Sequence, residues 1–250
     1  GNNGNATNSQ VGGRLVFDVD NFEFGGNIRF NANKNTSSSR SSSQNFISSN
    51  ASFSNRANSS TSRNNSTGGD FKIEWKLDSL TTLNFRPSFS LGDSKSSSSS
   101  SSATFNDDPY QNGVTDPLNE MDLISKTIKV NENSSLNSSN GDNYNISGNL
   151  MLNRRLGGNP WFGPAPVKGS SGRNLTLRLN GTKSSNKSKN YSFSNVIYHQ
   201  RNDSTDLTYR FRNNPNENEN YSIGLSYSEP IMRNLFAQVN YSYGYNKRHT

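Results

Sequence analysis

Strict alternation of apolar and polar residues constrains this chain more than any other feature. It is clearest in "DFKIEWKLDSLTTLNFRPSFSL", Asp70 to Leu91. Phe71, Ile73, Trp75 and Leu77 alternate with Lys72, Glu74 and Lys76. After Asp78-Ser79 the pattern restarts as Leu83, Phe85, Pro87, Phe89 and Leu91. Successive side chains of a β-strand point to opposite faces, so a period of two demands a strand with unlike faces. Two such arms around a polar turn form a hairpin. The apolar face must then meet either a second protein layer or lipid.

The same alternation recurs along the chain. Val11, Gly13, Leu15, Phe17 and Val19 share one face, as do Phe22, Phe24, Gly26, Ile28, Phe30 and Ala32 across an Asp20-Asn21 turn. Later runs are Ile146 to Leu152, Leu175 to Gly181, Tyr221 to Tyr227 and Leu235 to Tyr245. Eight strands follow, in hairpins at about 11–32, 56–91, 144–182 and 218–247 of a single unit over 1–250. Three connections are short: Asp20-Asn21, Asp78-Ser79 and Glu229 to Asn234. A fourth short one is expected near Leu156, but it is swollen by the insertion 157–171, with Trp161, Phe162 and three prolines. Its expected role is an ordered cap on the turn side, with a docking site for a partner as the alternative. The stretches 33–55, 92–143 and 183–217 are rich in Ser and Asn and are expected as long polar loops. Short turns at one end and long loops at the other is the asymmetry of an outer-membrane barrel.

Composition favours lipid as the partner of the apolar face. Apolar side chains make up only 28% of the 250 residues. Counting Gly in place of Tyr adds only a few percent, against a soluble norm of about 45–50% on that count. A soluble sandwich would lack material for its core. A barrel needs none, because its hydrophobic contacts lie outside, and about 9–11 residues per strand suffice to span. The expected fold is therefore all-β, an antiparallel transmembrane barrel of about eight strands, closed or part of a larger one. Its lumen would carry Lys72, Glu74, Lys76, Asn84, Arg86, Asn174, Thr176, Arg178 and Asn180. Pro87 sits inside a strand, where it cannot donate to the ladder, so a bulge or local break is expected there.

Few residues suggest chemistry. There is no Cys, and His199 and His249 lack a spaced second ligand, so neither a thiolate nor a His metal site is expected. No nucleophile elbow, Walker loop or dinucleotide fingerprint occurs, so no catalytic residue, cofactor or enzymatic activity is assigned. Asp107, Asp108, Asp116, Glu120 and Asp122 have oxygen ligands to offer Ca²⁺, although "DDPY" and "TDPL" are ordinary turn sequences. The net charge of +7 is scattered rather than patched, which argues against nucleic acid. No run of about 18 apolar residues and no signal peptide is present in the sequence.

The phrases "FKIEWKLDSLTTLNFRPSFSL", "ATFNDDPY", "GNLMLNRRL", "GRNLTLRLNG" and "YSIGLSYSEPI", from Phe71 to Ile231, resemble the barrel domain of TonB-dependent-receptor-like outer-membrane proteins of Bacteroidetes. The resemblance implies residence in the bacterial outer membrane, among its lipid and lipopolysaccharide, and a part in solute uptake. It also implies a plug domain and a TonB system as partners in the full-length protein. This chain looks like an internal piece of such a barrel, without plug or TonB box, and no substrate-binding residue is assigned. Two other readings use the same strands. One is a surface-structural or adhesive barrel acting through Ser/Asn-rich loops. The other is a soluble β-sandwich whose apolar faces, including Phe71, Ile73, Trp75, Leu83, Phe85, Leu175, Leu177 and Leu225, converge.

Overall fold

The computed structural model describes residues 2–47, 50–157, 161–162, 172–232 and 235–249. Eight strands run β1 (Asn2–Val19), β2 (Phe22–Ile47), β3 (Asn50–Lys76), β4 (Thr81–Phe105), β5 (Lys129–Gly157), β6 (Arg173–Tyr198), β7 (Ser204–Met232) and β8 (Leu235–His249). They form one antiparallel sheet in the order β1-β2-β3-β4-β5-β6-β7-β8. The all-β, antiparallel, eight-stranded expectation is met. The sheet does not close: β1 and β8 remain its two edges. No helix among the described residues is long and apolar enough to cross a membrane.

The expected polar loops need correction. Residues 33–47 continue β2, 50–55 open β3, and 92–105 and 129–143 belong to β4 and β5. Residues 183–198 and 204–217 likewise extend β6 and β7. Ser and Asn have weak strand propensity of their own. Here each has a neighbour on both sides, so the ladder supplies what propensity does not. The Ser96–Ser102 run pairs residue by residue with Ser62–Arg56 of β3 and Ser139–Asn133 of β5. Hydroxyls and amides add to this, as Ser37 and Ser60 meet at 2.8 Å and Ser100 donates to Asn58 Oδ1 at 2.8 Å. The six central strands are thus 25–29 residues long, where a usual globular strand has about 5–6.

Turn chemistry sits where the alternation breaks. Asp20 takes φ 46° in the β1–β2 turn, a conformation that Asp and Asn tolerate better than other side chains. At the β3–β4 turn Asp78 accepts from Leu80 N at 2.7 Å and Thr81 Oγ1 at 3.0 Å, and these donors lower its pKa. The expected turn Glu229 to Asn234 is shorter, since β7 runs through Glu229 to Met232. Residues 158–160 and 163–171 of the insertion lie outside the described residues. Trp161 and Phe162 donate backbone hydrogen bonds to the carbonyls of Pro230 and Ile231 at 3.4 and 3.1 Å, which ties that part of the insertion to the end of β7.

Pro87 behaves as its missing N–H requires. Pairing to β3 stops between Asp70↔Ser88 and Ile73↔Phe85, while Pro87 pairs with Gly148 on β5. The register is the same on both sides of the gap, so the expected disturbance is a local break without a bulge.

The buried core is small and lies at the end opposite the short turns. Ala103, Phe105, Val114 and Ile124 form it, with Phe53, Leu118, Met121 and Ile128 packed around. It is built by the 106–128 connection folding back on the ends of β2, β3 and β4. Tyr110 Oη lies 2.6 Å from Asn55 Oδ1 and 2.9 Å from Ser42 Oγ, and Arg40 pairs with Asp116.

Candidate functional site

One face of the turn-proximal half of the sheet is apolar, row after row. The register aligns Val19, Phe22, Trp75, Leu83, Leu152, Leu177, Leu225 and Tyr241 across all eight strands. The next row away from the turns is Phe17, Phe24, Ile73, Phe85, Leu150, Leu179, Ile223 and Tyr243. On β1 the band spans Val11–Val19, about 26 Å at ~3.3 Å per residue. Tilted by about 40°, that length rises about 20 Å, most of the roughly 25 Å apolar band of membrane barrels. No second layer covers this face among the described residues, and Val11 and Tyr241 are 68% and 64% exposed. The eight residues whose convergence a sandwich requires lie side by side on this one face, which removes the sandwich reading.

Three glycines within the band are covered by rings. Gly26 lies opposite Phe71, Gly69 opposite Phe89 and Gly181 opposite Tyr221. A Cβ on Gly69 would stand 2.6 Å from Phe89 Cε1. The absent side chains let Phe24, Phe71 and Phe89 stack in a diagonal ladder, with centroids 6.0 and 6.3 Å apart. Such cross-strand pairs are the unit of sheet stabilisation.

The opposite face is polar, and it carries every lumen residue expected from sequence. Lys72 sits between Glu23 and Glu74, 3.0 and 3.4 Å away. Arg29 meets Asp70 at 3.0 Å. Arg178 lies opposite Gly224, which leaves room beside it, and Asn180 donates to Ser222 Oγ at 3.0 Å. Lys76, Asn84, Arg86, Asn174 and Thr176 share the face. A surface of mixed charge and amides wets readily and can line a path for polar solutes.

The acidic segment is turn chemistry. Asp107 Oδ1 accepts from Asp108 N, and Asp108 Oδ1 from Tyr110 N, at 2.8 and 2.9 Å. Asp116 accepts from Leu118 N and Asn119 Nδ2 and pairs with Arg40. Glu120 Oε2 takes the N–H groups of Thr115 and Asp116 at 2.7 and 3.0 Å. These amide donors hold its carboxyl below the ordinary 4.5. Asp122 lies in a single 3₁₀ turn, Met121–Leu123. No three such ligands converge among the described residues.

His199 has partners that spacing alone did not show. Its Nδ1 is 2.7 Å from Asp203 Oδ1 and its Nε2 2.6 Å from Glu132 Oε1. Glu132 is on β5, 67 positions away, so pairing of β5 with β6 creates the contact. Asp203 is held below its ordinary pKa, first by His199 and then by the charge of Lys126. Both ring nitrogens are occupied by carboxylates, which makes the group a clasp at the β6–β7 connection rather than a base. The other histidine, His249, stands at the end of β8 opposite Glu217. At the turn end, Arg173 Nε bonds both oxygens of Glu229 at 2.8 Å.

The class these observations define is an open, single-layer antiparallel sheet with one apolar and one polar face. No protein-family model and no curated protein matches the chain. A solved structure described as "Structure of the RagAB peptide transporter" overlaps it with a TM-score of 0.25 and 10% identity, covering 99% of this chain and 37% of that chain. A likeness of that size carries no argument, and the chain spans little more than a third of that neighbour.

Proposed function

We propose that this chain is part of the wall of a bacterial outer-membrane β-barrel of the TonB-dependent-receptor-like kind, and that the whole protein passes a solute across that membrane. The observation that carries the reading is the uncovered apolar band. It crosses all eight strands next to their short turns and is backed by a polar, charged face. Lipid satisfies the first face and water the second, which no soluble single-layer sheet achieves. The open edges at β1 and β8 fit a segment that continues into further strands, because an unpaired edge is an aggregation hazard. Plug and TonB-linked energy coupling belong to the rest of that protein. Polar side chains of the inner face, Lys72, Arg86 and Arg178 among them, line the path, and the solute is passed along it rather than transformed.

The test is the partitioning of the chain. It is expected to be insoluble in buffer and to fold in detergent micelles or lipid vesicles to a heat-modifiable band with a β-type circular dichroism spectrum. A soluble, cooperatively folding monomer without detergent would overturn the reading.

A further inference from the structure

Beyond the apolar band, the same face carries a row of cations. Lys34, Arg63 and Lys95 align on β2, β3 and β4 in one register row, and Lys189 continues that row on β6. All four are exposed. They lie two register rows past Phe30 and Leu91, the large apolar residues of β2 and β4 at the register of Val11. Four residues are about 13 Å along the strand, or about 10 Å above the band once tilted by ~40°. Lys and Arg side chains reach back several ångströms with their heads in the interface. That places them level with the headgroups, which occupy roughly 5–8 Å on each side of the hydrocarbon.

Some cations of the sheet have an acidic partner on a neighbouring strand. Lys72 has Glu23 and Glu74, Arg29 has Asp70, Lys183 has Glu219 at 2.5 Å and Lys187 has Glu217 at 3.1 Å. By contrast, Lys34, Arg63 and Lys95 face one another on adjacent strands, about 5 Å apart, and no ion pair among the described residues includes them. Of the acids on that face, Asp93 and Asp142 lie opposite each other one row nearer the turns, where Asn65 Nδ2 donates to Asp93, while Glu217 and Glu219 on β7 are taken by Lys187 and Lys183. Like charges directly opposite each other destabilise a sheet. An anion bridging them would reverse that cost.

We propose that Lys34, Arg63, Lys95 and Lys189 form a binding row for the phosphate groups of lipid headgroups in the outer leaflet. The inference rests on the barrel reading above. Its chemistry is charge-assisted hydrogen bonding from three neighbouring cations to one or two phosphates, with Arg63 able to engage one bidentately. The row fixes the depth of the wall in the membrane and holds a ring of phosphorylated lipid against it.

The test refolds the chain into phosphatidylcholine vesicles, alone or doped with lipid A or with phosphatidylglycerol, and counts lipid retained per chain by native mass spectrometry. Lipid A is expected to be retained over phosphatidylcholine, and the triple variant Lys34→Gln, Arg63→Gln, Lys95→Gln to lose it. A factor of about five per cation makes that loss roughly a hundredfold. The charge-matched variant Arg56→Gln, Arg210→Gln, Arg212→Gln, on the opposite face, is expected to retain lipid A as the parent does. Insertion with no preference for either anionic lipid over phosphatidylcholine, or equal retention by both triple variants, would overturn the binding row and leave the barrel standing. Equal displacement of the lipid by millimolar inorganic phosphate would show a free-anion site instead of a headgroup site. Failure to insert into any vesicle would overturn both readings.

Discussion

The turn-proximal and distal halves of this sheet share a backbone geometry and differ in nearly everything else. Near the turns, one face is Phe, Leu, Ile, Val and Tyr, uncovered, with rings laid over glycines. Beyond about residues 33, 65, 93 and 143 the sheet continues mainly as Ser and Asn, interrupted by the row of Lys34, Arg63 and Lys95 and by the ring pairs Tyr191–Phe211 and Phe193–Tyr209 of β6 and β7. The first half relies on a partner that is not protein. The second relies on its ladder, on side-chain hydrogen bonds such as Asn65 to Asp93, on the ring pairs of β6 and β7, and on a small core around Phe105. The comparison teaches that strand propensity is not needed where pairing on both sides is already registered by a well-patterned neighbouring segment.

The largest effect tests whether the halves unfold separately. Phe105 is fully buried in the tip core, and Phe105→Ala is expected to cost about 3–5 kcal/mol there. Proteolytic nicking should then appear within 106–128 while the heat-modifiable band persists. Loss of both together would mean that the halves form one cooperative unit. Next in size is Ile223→Arg, on the apolar face between Leu179 and Tyr243. An arginine there is expected to cost about 2–4 kcal/mol in lipid. Ser222→Arg, one residue along and on the polar face, should be nearly neutral. Equal effects in vesicle-refolding titrations would erase the distinction between the faces.

A smaller effect is expected from Gly69→Ala, which forces Phe89 from its place in the ring ladder at a cost of about 1–3 kcal/mol. The same change at Gly13, where a Cβ meets nothing within 4 Å, should be silent. The smallest effect is electrostatic and belongs to the ends of the strands. Glu120 and Asp203 are both held below their ordinary values, by amide donors and by His199 with Lys126 respectively. A depressed carboxyl contributes stability that is present above its ordinary pKa and is lost as pH falls through the lower folded value. Hydrogen exchange in 106–128 and around Asp203 should therefore rise below about pH 4, and at the β3–β4 turn as well, where Asp78 is lowered in the same way. Glu120→Gln should remove the dependence from the 106–128 segment.

How much was legible depended on the residue. The hairpin Phe71–Leu91 was readable because burial of one face demands a period of two, and its turn because Asp78 supplies the acceptors that a tight reversal needs. The break at Pro87 followed from a missing donor. The Ser96–Ser102 run was unreadable because serine carries no periodic signal, and what makes it a strand is Ser62–Arg56 on one side and Ser139–Asn133 on the other. The clasp of His199 with Glu132 was invisible for the same reason, since β-pairing joins positions that sequence separates. Alternation by itself determined the strand count, the two unlike faces and the short turns, because a two-residue repeat leaves no other way to segregate apolar from polar side chains. Tertiary structure alone decided the length of the strands, the open edges and the alignment of Lys34, Arg63 and Lys95, because register is a property of neighbouring strands and is written in neither one.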